Sequence, residues 1–247
     1  MNDINLEAVK KDLAFLPLDL PPFSPQAGLY DRLIKLYEAE NSAIDDEYRN
    51  CKHIPIYITG GNDANNYNDN IDYNWTEQSK EVPEVVEYIK NHVQGWAKPL
   101  GRIMIICTRA GEENPPHIDC SPEKFDETLQ HKWRLVLEGD VDSLYYITET
   151  TAGGEVQPAN TKERPFMMSG SWPHGMRNNN DKMKFTLAMG SPWDADESEG
   201  YNNLIENSFR KFHNYYLSKK GWQLPQDHVK LYEEKYKWKE YIETNQQ

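Results

Sequence analysis

The stretch RIMIICTRAGEENPPHID, residues 102–119, joins a strand pattern to a possible metal site, and the rest of the chain is read outward from it. Its first half is a short apolar run broken by Gly111, which predicts a buried strand rather than a helix. Its second half sets His117 and Asp119 two positions apart. In an extended segment such residues point to the same face, so both can reach one ion.

Four more strand-like runs follow: KWRLVLEG (132–139), DSLYYITE (142–149), FMMSGSW (166–172) and KFTLAMG (184–190). Turn-forming clusters such as TAGGE and RNNND separate them, as between antiparallel strands. The natural product is an all-β barrel or jelly roll. On the N-terminal side, LYDRLIKLYEAE (29–40) spaces Leu29, Leu33, Leu36 and Tyr37 for a helix, and EVPEVVEYIKNHVQGW (81–96) does so through Val82, Val86, Ile89 and Val93. GGNDANNYNDN (60–70) reads as a surface loop. The tail returns to helix, with Ile205, Phe209, Phe212 and Tyr216 in one stripe, followed by KLYEEKYKWKEYIE.

The chain has 247 residues, 38% of them hydrophobic, enough for one substantial core. A formal net charge of −13 argues against nucleic acid as a partner, because phosphate binding needs Lys and Arg gathered on one face. The opening MNDINLEAVKKDL lacks the pattern of a secretory signal, and no apolar run approaches the roughly 20 residues that span a bilayer. Cys51, Cys107 and Cys120 form no CxxC pair, and an odd count fits a reducing compartment. The expectation is a soluble cytoplasmic protein with no membrane partner, Cys120 being a bystander thiol.

A third ligand beside His117 and Asp119 should come from another strand, and His174 in WPHGMRNNN is placed to supply it. Two imidazoles and a carboxylate suit non-haem Fe(II), and zinc enzymes use similar ligands, so the set alone leaves both open. His53, His92, His131, His213 and His228 lack a carboxylate at ligand spacing and are expected at the surface or in packing. In KMKFTLAMG, Lys184, Thr186 and Ala188 share one face. Should that face line the barrel, Lys184 and Thr186 can grip a carboxylate near the metal. Arg134 lies opposite the apolar face of its strand, either as an outward charge or as an inward anion ligand. Arg177 and Asn178 are expected to shape a turn.

A His-x-Asp, a distant His, and a basic residue about ten positions beyond it with a hydroxyl neighbour resemble the Fe(II)- and 2-oxoglutarate-dependent oxygenases. His117, Asp119 and His174 match the metal triad, Lys184 the cosubstrate anchor and Thr186 its neighbour, over roughly residues 100–193. HGMRNNNDKMKFTLAM is similar to the aspartyl/asparaginyl β-hydroxylase-like branch, where Arg134 matches a second cosubstrate-binding position. A complete triad with Lys resembles the prolyl-hydroxylase-like branch.

The resemblance implies a mainly β fold with flanking helices (α+β), a double-stranded β-helix of cupin-like jelly-roll form. It implies one oxygenase domain over 1–247, with N-terminal helical and loop support (1–99), the core (100–193) and C-terminal helices (194–247). It further implies Fe(II), 2-oxoglutarate and O2, with His117, Asp119 and His174 on the metal and Lys184, Thr186 and Arg134 on the cosubstrate. The expected reaction is hydroxylation of an amino acid, a peptide side chain or a small metabolite, with release of succinate and CO2. Related halogenases lack the carboxylate at the position of Asp119, so its presence favours hydroxylation. The 60–74 loop is a candidate lid. The oligomeric state is not legible. Two other classes predict different behaviour: a cupin-like zinc or manganese hydrolase or isomerase needs no Lys184, and a non-catalytic binding module binds no stoichiometric metal.

Overall fold

The computed structural model describes residues 4–59, 73–96, 100–119, 131–139, 143–149, 154–159, 164–189 and 199–234. In chain order its elements are α1 (Leu6–Asp12), β1 (Leu13–Pro17), α2 (Leu29–Glu38), β2 (Ile44–Asp46), a 3-10 turn (Glu47–Arg49), β3 (Cys51–Thr59) and β4 (Tyr73–Trp75). There follow α3 (Pro83–His92), β5 (Ile103–Thr108), β6 (Glu113–His117), β7 (His131–Glu138), β8 (Leu144–Glu149) and β9 (Gly154–Val156). The chain continues through β10 (Phe166–Ser169), β11 (His174–Arg177), β12 (Lys184–Met189), α4 (Glu199–Phe212) and β13 (Leu217–Ser218).

The strands form two antiparallel sheets. The larger runs β13-β1-β10-β7-β12-β5-β3-β2, with β4 also on β3, and the smaller runs β6-β11-β8-β9. Between β5 and β12 the chain crosses repeatedly from one sheet to the other, placing β5, β7, β10 and β12 in the first and β6, β8, β9 and β11 in the second. That winding is a double-stranded β-helix: the strand-like runs predict a barrel or jelly roll, and the resemblance implies this form of it.

Residue alternation explains why the larger sheet is covered on both faces. Trp133, Leu135 and Leu137 of β7, with Phe185, Leu187 and Met189 of β12, join the apolar layer beneath α2, α3 and α4. Leu29, Leu33 and Leu36 of α2 supply the facing ridge. The opposite face turns toward the smaller sheet, where Ile106, Leu144, Tyr146, Phe166 and Met176 form a second apolar cluster. The Tyr146 hydroxyl donates to the Ala14 carbonyl at 2.5 Å and ties the two sheets together.

Three details differ from the sequence reading. Strands also come from outside 100–193: β1 and β3 are integral to the larger sheet, and β13 closes its edge. On α3 the buried face uses Val82, Val85, Ile89 and Val93, while Val86 is half-buried, because Pro83 begins the helix and its packing settles which of two overlapping stripes faces inward. On α4, Tyr201, Leu204, Ile205 and Phe212 are buried and Phe209 packs at the margin; Tyr216 lies beyond the helix. The loop expected at 60–70, most of the candidate lid, Cys120 and the tail beyond 234 lie outside the described residues. Among the described residues no helix is long and apolar enough to cross a membrane.

Gly175 stands where β11 passes closest to its neighbours. A Cβ there would come within 2.6 Å of Tyr145 Cζ and 2.8 Å of the Asn114 carbonyl oxygen. Gly175→Ala is therefore expected to destabilise the fold by about 1–3 kcal/mol through overpacking, read as a lower denaturation midpoint in urea.

Candidate metal centre

His117 and His174 are direct cross-strand partners on β6 and β11, with a bulge just beyond, between His174 and Met176. Their rings lie 4.6 Å apart between centroids. β6 reads ENPPH, and two prolines are tolerated because β6 is an edge strand of the smaller sheet. The strand ends at His117 and Ile118 buries its side chain. Asp119 sits at a bend, its N–H donating to the Gly170 carbonyl at 2.8 Å.

Each imidazole is oriented the same way. His117 Nδ1 lies 2.8 Å from the Pro115 carbonyl, and His174 Nδ1 lies 2.8 Å from the Trp172 carbonyl. A carbonyl only accepts, so each Nδ1 carries a proton and each Nε2 is the ring atom left to face the site. Those Nε2 atoms face Asp119, at 3.5 Å from Oδ1 for His117 and 3.6 Å from Oδ2 for His174. The ligand atoms of all three residues lie within 4.8 Å of one another.

The states of Asp119 and His174 suit a cation. Burial pushes the Asp119 carboxyl upward, yet the hydrogen bond from His117 and the charges of His174 and Arg49 outweigh it and hold the group well below the usual carboxylate range. Burial, reinforced by His117 and opposed by Asp119, lowers His174 to about 3. Neutral imidazole and ionised carboxylate are the forms a metal needs. The donor set fits a non-haem ferrous ion, with both histidines held through backbone carbonyls.

Guanidinium groups complete the surroundings. Arg49 Nη2 is 3.0 Å from Asp119 Oδ1, and Arg49 Nη1 is 2.7 Å from Asp46 Oδ2. Arg134 Nη2 approaches Asp119 Oδ2 at 3.8 Å. Arg134 thus faces inward rather than to the outside. It lines a pocket of about 690 Å³, part of it open to solvent, together with the triad, Arg49, Arg102 and Lys132.

Lys184 and Thr186 share one face of β12 with Ala188, as the alternation predicts; Ala188 lines the pocket and the other two do not. Lys184 is 1% exposed and its ammonium donates to Ser143 Oγ. Gly139, at φ +107°, leaves room for its stem: a Cβ there would come 3.0 Å from Lys184 Cγ. Thr186 Oγ1 and Asn114 Oδ1 are buried without a hydrogen-bond partner among the described residues. Asn178 shapes a turn as expected, donating through Nδ2 to the carbonyls of Thr108, Arg109 and Lys182. Arg177 clamps Glu155 at 2.5 and 2.7 Å and stacks over Tyr145.

Sequence reasoning passed over Arg49, Arg102, Lys132 and Asn114, and it assigned His53 to surface or packing although His53 also lines the pocket. A second potential ligand group, Asp46, Cys51 and His53, adjoins the first. It is the poorer metal candidate, because Asp46 is engaged by Arg49 and burial, followed by the charge of Asp46, pushes the Cys51 thiol up to about 12.

No protein-family model matches the chain, and no curated protein does. Among solved structures it is similar to a prolyl hydroxylase from Trichoplax adhaerens in complex with a hypoxia inducible factor peptide fragment (TM-score 0.45, 10% identity, 78% of this chain and 93% of that one). It is also similar to a Pseudomonas putida prolyl-4-hydroxylase (TM-score 0.41, 16% identity, 76% and 98%). A 2OG-Fe(II) oxygenase family oxidoreductase from Burkholderia pseudomallei is a third such structure (TM-score 0.41, 10% identity, 76% and 91%).

Two measurements check the site. Titration with Mn(II), followed by loss of the free-ion paramagnetic resonance signal, is expected to reach one ion per chain and to fail in His174→Ala. Arg49→Met is expected to destabilise the metal-free protein by roughly 1–3 kcal/mol by leaving the Asp119 charge underpaired, and saturating Mn(II) should narrow that deficit in thermal melts.

Proposed function

We propose that the chain is an Fe(II)- and 2-oxoglutarate-dependent dioxygenase, a single oxygenase domain that hydroxylates an amino acid, a peptide side chain or a small metabolite and releases succinate and CO2. The observation that carries this reading is the convergence of His117, Asp119 and His174, with ligand atoms within 4.8 Å, above an interior face that also bears a fully buried lysine. Fe(II) with 2-oxoglutarate and O2 supplies an oxidant able to remove hydrogen from an unactivated carbon.

The chain's own groups do the positioning. His117 and His174 present Nε2 and use Nδ1–H to fix ring orientation, and Asp119 adds an anionic oxygen. Lys184 supplies a cation for the far carboxylate of the cosubstrate, and the unpartnered Thr186 hydroxyl offers it a donor. Arg134, beside Asp119, is placed to meet a negative oxygen close to the metal. The apolar wall of Ile106, Leu144 and Met176 limits water around the reacting groups.

Anaerobic addition of Fe(II) and 2-oxoglutarate is expected to give the weak visible charge-transfer band of the chelate, and admission of air to give succinate. His174→Ala should abolish both. Lys184→Ala should keep the metal but weaken 2-oxoglutarate binding by about 1.5–3 kcal/mol, the worth of a hydrogen bond to a charged group. A wild-type protein that binds Fe(II) yet gives neither band nor succinate would overturn the proposal in favour of a zinc or manganese hydrolase or isomerase.

A further inference from the structure

A second set of ligand atoms is built by strand register at the edge of the larger sheet. Cys51 and His53 are two apart on β3 and so share a face, and Asp46 of β2 is the cross-strand partner of Cys51. Pairing alone thus gathers a thiol, an imidazole and a carboxylate, with ligand atoms within 4.8 Å of one another. None of the three belongs to the triad.

The tightest pair matches a tetrahedral ion. Bonds of about 2.3 Å to sulfur and 2.0–2.1 Å to nitrogen hold those two ligand atoms roughly 3.5 Å apart. Cys51 Sγ and His53 Nε2 stand 3.5 Å apart. Burial lowers His53 to about 4, so its ring is neutral near pH 7 and has a lone pair to give. Asp46 accepts the Arg49 N–H on Oδ1 at 3.1 Å and Arg49 Nη1 on Oδ2 at 2.7 Å, and a carboxylate with about four acceptor sites keeps others for an ion. Asn114 Nδ2 donates to Cys51 Sγ at 3.9 Å, which favours the thiolate, while Oδ1 of the same amide is buried without a partner among the described residues. Asp46 and Cys51 also line a second cavity of about 390 Å³, partly open to solvent, which gives an ion its way in.

The thiol selects the class of ion. Burial and then Asp46 hold its proton in place, so a hard ion that cannot displace that proton has only two ligands here. A thiophilic ion does displace it: the S–H bond breaks, the proton leaves to solvent and a metal–sulfur bond forms, with no change of oxidation state. Arg49 beside Asp46 opposes any cation, which sets this site below the triad for ions with no preference for sulfur.

We propose that Asp46, Cys51 and His53 form a second metal site, selective for a thiophilic divalent cation of the Zn(II) class, with a fourth position open to water. The site stands apart from the oxygenase reading, which concerns the triad alone.

The test titrates Co(II) into the whole chain saturated with Mn(II), under a non-thiol reductant. A near-ultraviolet sulfur-to-cobalt charge-transfer band is expected to rise to one cobalt per chain. Cobalt that enters the triad gives no such band, because the triad has no thiol. Cys51→Ser should abolish the band and Cys120→Ser should keep it. His53→Gln and Asp46→Asn should each weaken cobalt binding, read from the band, roughly tenfold or more. No band in the wild type overturns the proposal, as does a band that survives Cys51→Ser or is lost in Cys120→Ser. Should Cys51→Ser not fold, His53→Gln and Asp46→Asn decide, and unchanged cobalt affinity in both overturns the site. The ferrous chelate band with 2-oxoglutarate forms or fails at the triad whichever way this result falls.

Discussion

The register between β6 and β11 is the constraint on which the site depends. It sets His117 opposite His174, and a slip of one residue would turn one imidazole to the other face of the sheet. The Nδ1 bonds to the carbonyls of Pro115 and Trp172 add a local lock, because each ring is fixed by the backbone two residues before it. The prolines at 115 and 116 restrict the approach to His117 further, since their ring-bound φ removes freedom that an unfolded chain would otherwise have to lose. Asp119 completes the set through a different anchor, its N–H on Gly170. The three candidate ligands are thus held by three separate backbone bonds.

Burying this much charge between two sheets opposes folding, and the arrangement shows how the cost is met. Strands β7 and β12 alternate sharply, giving their apolar residues to the helices and their polar ones to the interior. The helix-side layer carries the hydrophobic stabilisation. The interior side is thereby freed to hold Asp119 between two imidazoles and two guanidiniums. A buried ion network is weak evidence for stability by itself. Thr186 Oγ1 and Asn114 Oδ1 are buried with no hydrogen-bond partner among the described residues, which adds to the polar groups that this side of the sheet has to accommodate.

Strands β5, β7, β8, β10 and β12 were legible because their apolar runs are short and separated by turn chemistry, whereas β6 (ENPPH), β9 (GEV) and β11 (HGMR) carry proline, glycine and polar residues in place of an apolar run and read as turn or connection. His117, Asp119 and His174 were legible because two of them share an extended segment and the third follows another strand. Alternation reveals which residues share a face but not whether that face meets water or a second sheet, so Arg134 had two readings until the smaller sheet was seen across from it. Arg49 gave no local sign, since a 3-10 turn brings it to Asp119 across 70 positions of sequence. His53 was set aside for want of a nearby carboxylate, yet β3 pairs with β5 and carries it to the pocket wall. LAFLP, the β1 segment, is buried along its whole length and so lacks the alternation by which a half-exposed strand is found.

The position of β1 also bears on how the site is held rigid. It pairs with β10, whose Phe166 lies opposite Arg134, and Tyr146 of β8 reaches across to the Ala14 carbonyl. Tyr146 is in turn the cross-strand partner of His174. A continuous chain of backbone pairing and one buried hydroxyl therefore links the N-terminal strand to both the arginine and the distal histidine. Removing that strand would expose the second apolar cluster and loosen two sides of the candidate site together, because Arg134 and His174 are both tied to it through this pairing.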